Sequence, residues 1–137
     1  MFNPSSLFRL ASIIFVIMGF CHVLMEIYSH LFSDANLKNP FVVTVMKGFT
    51  ISIFGTKRTY FTYMTGFSLA MGIFISFFGV ANYLLSNAVF LLKKASLVNS
   101  VFTLFIAVFS AFFFNLAPVI VYSITALIYT YVHLRLH

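Results

Sequence analysis

Acidic residues are nearly absent from this chain: Glu26 and Asp34 are the only two among 137 residues, against eight Lys and Arg, and charged residues of both signs make up 7% of the whole. A soluble domain carries roughly 25% charged residues. So thin a polar complement cannot cover a water-facing surface, and a soluble globular fold is not expected. Cysteine is almost missing too. With Cys21 alone there is no intrachain disulfide, no C-x-x-C pair and no reading of the redox compartment. Tryptophan is absent, which leaves tyrosine to anchor helix ends at a membrane surface. The six glycines form no phosphate-cradling loop, and neither H-E-x-x-H nor G-x-S-x-G occurs, so no recognisable catalytic site can be assembled. The basic residues, Arg9, Lys38, Lys47, Lys57, Arg58, Lys93, Lys94 and Arg135, are dispersed rather than gathered on one face, which argues against nucleic acid as a partner.

What fills the chain instead is apolar. Hydrophobic residues make up 62% and aromatics 20%, with 20 phenylalanines. Four apolar runs, at about residues 7–28, 60–85, 95–114 and 119–134, approach or exceed the ~20 residues that cross a bilayer. The expected fold is all-α: one domain, residues 1–137, forming an integral membrane four-helix bundle. Its first partner is the lipid bilayer, and a second copy or another membrane protein is the further one. No A-x-A-like cleavage site follows the first run, and Met18, Gly19 and Phe20 stand before Cys21, so the run is read as a retained span. Tyr28, Tyr60, Tyr63, Tyr83, Tyr129 and Tyr131 lie near span ends as interfacial anchors.

The connections are uneven. Residues 29–59 form the long one, in which Asn39 and Pro40 mark a helix start, residues 41–46 are apolar and residues 49–54 alternate. This pattern predicts a short helix lying in the interface and then an extended segment ending at Gly55, because an open strand edge cannot sit in lipid. Ser86 to Lys94 is expected as a short loop, and Asn115 to Pro118 as a tight turn. Four spans put both termini on one side, with Arg9, Lys93, Lys94 and Arg135, and leave Lys38, Lys47, Lys57 and Arg58 on the other. Around the first span, Arg9 and the amino terminus face Asp34 and Lys38, which favours cytoplasmic termini in a bacterial inner membrane.

Each span carries a stripe of small or polar residues at helical spacing, which lets backbones approach closely. The second span's stripe is Thr65, Ser68, Gly72, Ser76 and Gly79, and the packing faces are read as Gly72, Ser76 and Gly79 there, Ser100, Thr103 and Ala107 in the third, and Ser123 and Ala126 in the fourth. In the first span the seam is Ser12, Gly19, His22, Glu26 and His30, at steps of 7, 3, 4 and 4. His22, Glu26 and His30 are side chains that bind metals or move protons, and an ionisable residue inside a span is a functional candidate by default. A stable metal site needs about four ligands from more than one helix, and the other polar residues, Asn82, Asn87, Asn99, Asn115, His133 and His137, do not supply an evident set. No cofactor can be named. The plainer expectation is that Glu26 pairs with a neighbouring histidine or with Lys57 or Arg58.

The stretch from Met46 to Phe74, with Met46 and Lys47 before a short apolar segment, then Gly55, Arg58, Thr59, Gly66 and Phe67, and with His22 in the first span, resembles a family of small four-helix bacterial membrane proteins with no assigned activity. The resemblance implies the four-span layout and a structured first connection, and no reaction. The function expected is that of a small multi-pass membrane protein, non-enzymatic, packing with a membrane partner or binding an apolar ligand. The alternative is a proton-coupled carrier or a metal- or redox-associated subunit using His22 and Glu26, and a membrane enzyme comes third.

Overall fold

The first helix starts where sequence chemistry allows it to start. In this computed structural model, which describes residues 3–31, 40–53, 55–113 and 116–136, the Asn3 side chain accepts the Ser5 N–H at 3.0 Å. Pro4 occupies the opening turn, where its missing N–H is no loss. Helix α1 then runs Pro4–Leu31. It is followed by α2, Pro40–Gly48, by strands β1, Thr50–Ile53, and β2, Thr56–Thr59, and by helices α3, Tyr60–Leu85, α4, Val89–Phe113, and α5, Leu116–Arg135. Among the described residues the protein is all-α apart from that hairpin, and four of the helices, α1, α3, α4 and α5, are long and apolar enough to cross a membrane. The shortest has 20 residues, which at ~1.5 Å per residue matches a hydrocarbon core about 30 Å thick.

Helix α3 occupies the expected residues, and the other bounds move. Helix α4 begins at Val89, so the expected loop to Lys94 shrinks to residues 86–88 and both Lys93 and Lys94 are helical. A helix need not stop where hydropathy does, since lysine is a good helix former whose stem can reach out to the headgroups. Leu116 to Pro118 belong to the first turn of α5 rather than to a free turn; Asn115 lies outside the described residues, as do Asp34, Lys38, Asn39 and His137. The extended segment does not end at Gly55. It turns there, at φ 79°, and returns as β2, with Thr50 opposite Thr59, Ile51 opposite Arg58 and Ser52 opposite Lys57.

By packing, the chain falls into two units. The first comprises Met1–Ile17 and Ser76–His137. Its core is aromatic: Phe8 meets Tyr129 edge-on at 5.1 Å, Phe15 meets Phe78 in the same way at 5.1 Å, and Phe78 reaches Phe102 at 5.5 Å. Such pairs add about 0.5–1.5 kcal/mol each beyond the area they bury. Tyr129 is fully buried, which corrects its reading as an interfacial anchor. Helix α3 comes so close to α1 at Gly79 that an added Cβ would lie 2.8 Å from the Ser12 carbonyl and 2.7 Å from the Val16 nitrogen.

The second unit is Met18–Ile75. Here α1 and α3 approach at Gly19 and Gly72: a Cβ on Gly72 would stand 3.1 Å from the Gly19 carbonyl oxygen and 3.1 Å from His22 Cδ2. The hairpin is tied to its neighbours by the Tyr60 N–H donating to the Phe49 carbonyl at 2.7 Å and by Phe49 lying edge-on to Tyr60.

Candidate functional site

The glycine approach in the second unit decides which side chains meet. On α1, His22 and Glu26 lie three and seven residues beyond Gly19; on α3, Ser68 lies four before Gly72. In an antiparallel helix pair those positions fall together, one to two turns from the crossing. Ser68 Oγ donates to Glu26 Oε2 at 2.9 Å, and His22 Nε2 lies 3.0 Å from the same Oγ. A hydroxyl has one proton. With Glu26 as the carboxylate that proton is committed to it, so Oγ accepts from His22, and the ring carries its proton on Nε2. His22, Ser68 and Glu26 therefore form one directed chain of hydrogen bonds, all three half-buried.

This overturns the pairing expected for Glu26. Among the described residues its carboxylate is held by Ser68 and by neither histidine nor Lys57 nor Arg58. His30 continues the seam but is exposed and stacks on Phe61 at 5.5 Å and 18°, while Lys47 Nζ lies 5.5 Å from the centre of the same ring, within cation–π range. No three His, Cys, Asp or Glu side chains gather as a metal site among the described residues. Past Glu26, a cleft of about 260 Å³ opens between α1 and α3, lined by Ile27, His30, Leu31, Thr62, Gly66 and Leu69 among others.

The remaining polar candidates stand in the first unit. Asn82 and Asn99 are buried and paired, with Asn99 Nδ2 donating to Asn82 Oδ1 at 2.7 Å. Asn87 accepts from Arg9 Nη2 at 2.8 Å, and Arg9 Nε donates to Ser86 Oγ at 2.9 Å. His133 Nδ1 donates to the Lys93 carbonyl at 3.0 Å. The Ser12 hydroxyl donates to the Phe8 carbonyl at 2.8 Å. Of the expected packing residues, Gly72, Gly79, Thr103, Ala107 and Ala126 are buried, and Ser76, Ser100 and Ser123 are half-buried. Thr103 Oγ1 has no hydrogen-bond partner among the described residues. Sequence reasoning placed Ser68 in the small-residue stripe and missed it as a ligand for Glu26; the usable signal was that it is the hydroxyl one turn before Gly72. Comparison with protein-family models, curated proteins and solved structures gives no match.

Proposed function

We propose that the protein is a non-enzymatic multi-pass membrane protein that holds an apolar ligand in the cleft between α1 and α3. The observation that carries this reading is the cleft: Ile27, Leu31 and Leu69 give it apolar walls, and His30 and Thr62 give it hydrogen-bonding groups. An amphiphile with an acyl-like tail matches such a lining. Gly66 is the place to test it, since a Cβ there would meet nothing within 4 Å. In nanodiscs, the wild type should bind a fluorescent fatty-acyl probe saturably, and Gly66→Leu should weaken binding by tenfold or more with a melting temperature no lower than that of the wild type. Equal binding by both proteins would refute the reading. Membership of the small bacterial family that Met46–Phe74 resembles belongs to the same proposal, as does a bacterial inner-membrane location with cytoplasmic termini, supported by Arg9 at the start of the first span. Reporter fusions at the two ends test the sidedness.

The chain His22–Ser68–Glu26 favours a second reading, in which the protein moves a proton. An imidazolium at His22 passes its Nε2 proton to Ser68 Oγ as Ser68 passes its own to Glu26 Oε2, leaving neutral imidazole and a carboxylic acid. Ser68→Ala breaks that chain and Ser68→Thr preserves it. Proton flux into proteoliposomes should fall with the first and persist with the second, and flux no different from protein-free vesicles would dismiss the reading.

A further inference from the structure

Like the short helix α2, the hairpin of the second unit has no spanning role, and it carries two cations that meet no carboxylate among the described residues. Lys57 and Arg58 are exposed on β2. Glu26, the acid of the described residues, takes the Ser68 hydroxyl instead. We propose that the hairpin Thr50–Thr59 is a binding site for acidic phospholipid headgroups, with Lys57 and Arg58 each addressing a headgroup phosphate from its own face of the ribbon.

Position supports this first. β2 ends at Thr59 and α3, long enough to cross the bilayer, begins at Tyr60, with no residue between them. Thr59 Oγ1 accepts the Thr62 N–H at 3.2 Å and so caps that helix. At a strand rise of about 3.3 Å per residue, Lys57 and Arg58 stand within ~10 Å of the start of the span. The headgroup layer is about 5–8 Å deep on each side, so covalent continuity keeps these cations within side-chain reach of that layer.

Register supports it next. Arg58 is paired with Ile51 and Lys57 with Ser52, so the two cations rise from opposite faces of the ribbon. Arg58 shares its face with an apolar residue, as a side chain does that snorkels from the apolar boundary to a phosphate, and Arg matches a phosphate oxygen pair bidentately. Lys57 shares its face with hydroxyls and addresses a headgroup from the water side. Beside them, α2 presents Phe41, 74% exposed, with Val45, and Phe49 follows it at 61% exposed. That apolar flank keeps the element on the bilayer surface, where it has lipid to cover it. Each Lys or Arg near an acidic surface raises affinity by roughly fivefold, so the pair is worth about 25-fold.

The test uses the full chain in nanodiscs of equal phosphatidylcholine and phosphatidylglycerol, with retained lipids counted by native mass spectrometry. The wild type should keep phosphatidylglycerol over phosphatidylcholine by tenfold or more. Lys57→Gln with Arg58→Gln should lose that preference, whereas exposed Lys94→Gln should keep it. Lys57→Arg and Arg58→Lys, which preserve charge, should retain most of it and guard against a hairpin that merely fails to form. Wild-type protein that keeps the two lipids in nanodisc proportion overturns the proposal, as does a double Gln variant with the preference intact. Millimolar inorganic phosphate that displaces the lipid as well as added phosphatidylglycerol does would assign the cations to a soluble anion, and overturns it too. Neither variant touches the cleft, so failure here and failure of the apolar-ligand reading are separate results.

Discussion

Asn82 donates to the Phe78 carbonyl at 3.0 Å and accepts from Asn99, so two amides are spent on each other inside the first unit. Interhelical hydrogen bonds in membranes average ~0.6 kcal/mol and reach ~1.7. A short, buried pair belongs at the upper end. Asn82→Leu and Asn99→Leu should each destabilise by about 1–2 kcal/mol, and the double variant by clearly less than the sum, because the second substitution removes a group the first had already stranded. Thermal unfolding in detergent checks the cycle, and additive losses would show that the amides act independently. Glu26 invites the same reasoning with a different partner. Glu26→Gln keeps an acceptor for Ser68 and should be tolerated, while Glu26→Leu should cost about 1 kcal/mol by leaving that hydroxyl and the ring behind it short of an acceptor. The residue types at this site were legible in the sequence; the partnership was not. A serine inside a stripe of small residues reads equally as spacer and as ligand, and only the rotation of α1 against α3 distinguishes them.

At the scale of elements, the helix approaches make an ordered prediction. A Cβ on Gly79 runs into backbone atoms, the Val16 nitrogen and the Ser12 carbonyl, which cannot step aside; on Gly72 the nearest atom is Val23 Cγ2 at 2.7 Å, the end of a side chain; on Gly66 there is nothing. Destabilisation should therefore rank Gly79→Ala above Gly72→Ala, with overpacking at the first costing about 1–3 kcal/mol, and Gly66→Ala should stabilise by about 0.5–1 kcal/mol through helix propensity. Melting temperatures in detergent decide the order. The spans themselves were readable because a bilayer demands ~20 apolar residues in a row. β2 was not, since Thr56, Lys57, Arg58 and Thr59 carry no apolar alternation and become a strand only by pairing with Thr50–Ile53 across the left-handed glycine. The start of α4 was misplaced for a related reason: charge ends a hydrophobic run without ending a helix.

Over the whole molecule, polarity is arranged inside out relative to a soluble protein. Phe90 is 82% and Phe112 80% exposed, while Ser96, Thr103 and Thr125 are 0% exposed. Water would have to cover that phenylalanine surface at about 25 cal/mol per Å², whereas lipid covers it at no cost. The protein should therefore resist carbonate and urea washing, leave membranes only with detergent, and show a far-ultraviolet dichroism spectrum dominated by helix. Release by carbonate would contradict the layout. Composition alone disclosed this much, because too few charged side chains exist to make an aqueous surface. It could not disclose which polar groups were inside, because Ser, Thr and Asn recur along every span and burial depends on how each helix is turned.

Arg9 and the turn it grips carry a consequence in time. The guanidinium belongs to the first span, yet the hydroxyl and amide that receive it, on Ser86 and Asn87, come 77 and 78 positions later. A ribosome working at ~5–20 residues per second needs about 4–15 s to cover that distance. Throughout that interval the first span exists without the acceptors for its own cation. The contact can latch only after α3 has been made, so this corner of the protein is completed in the order in which the chain is synthesised.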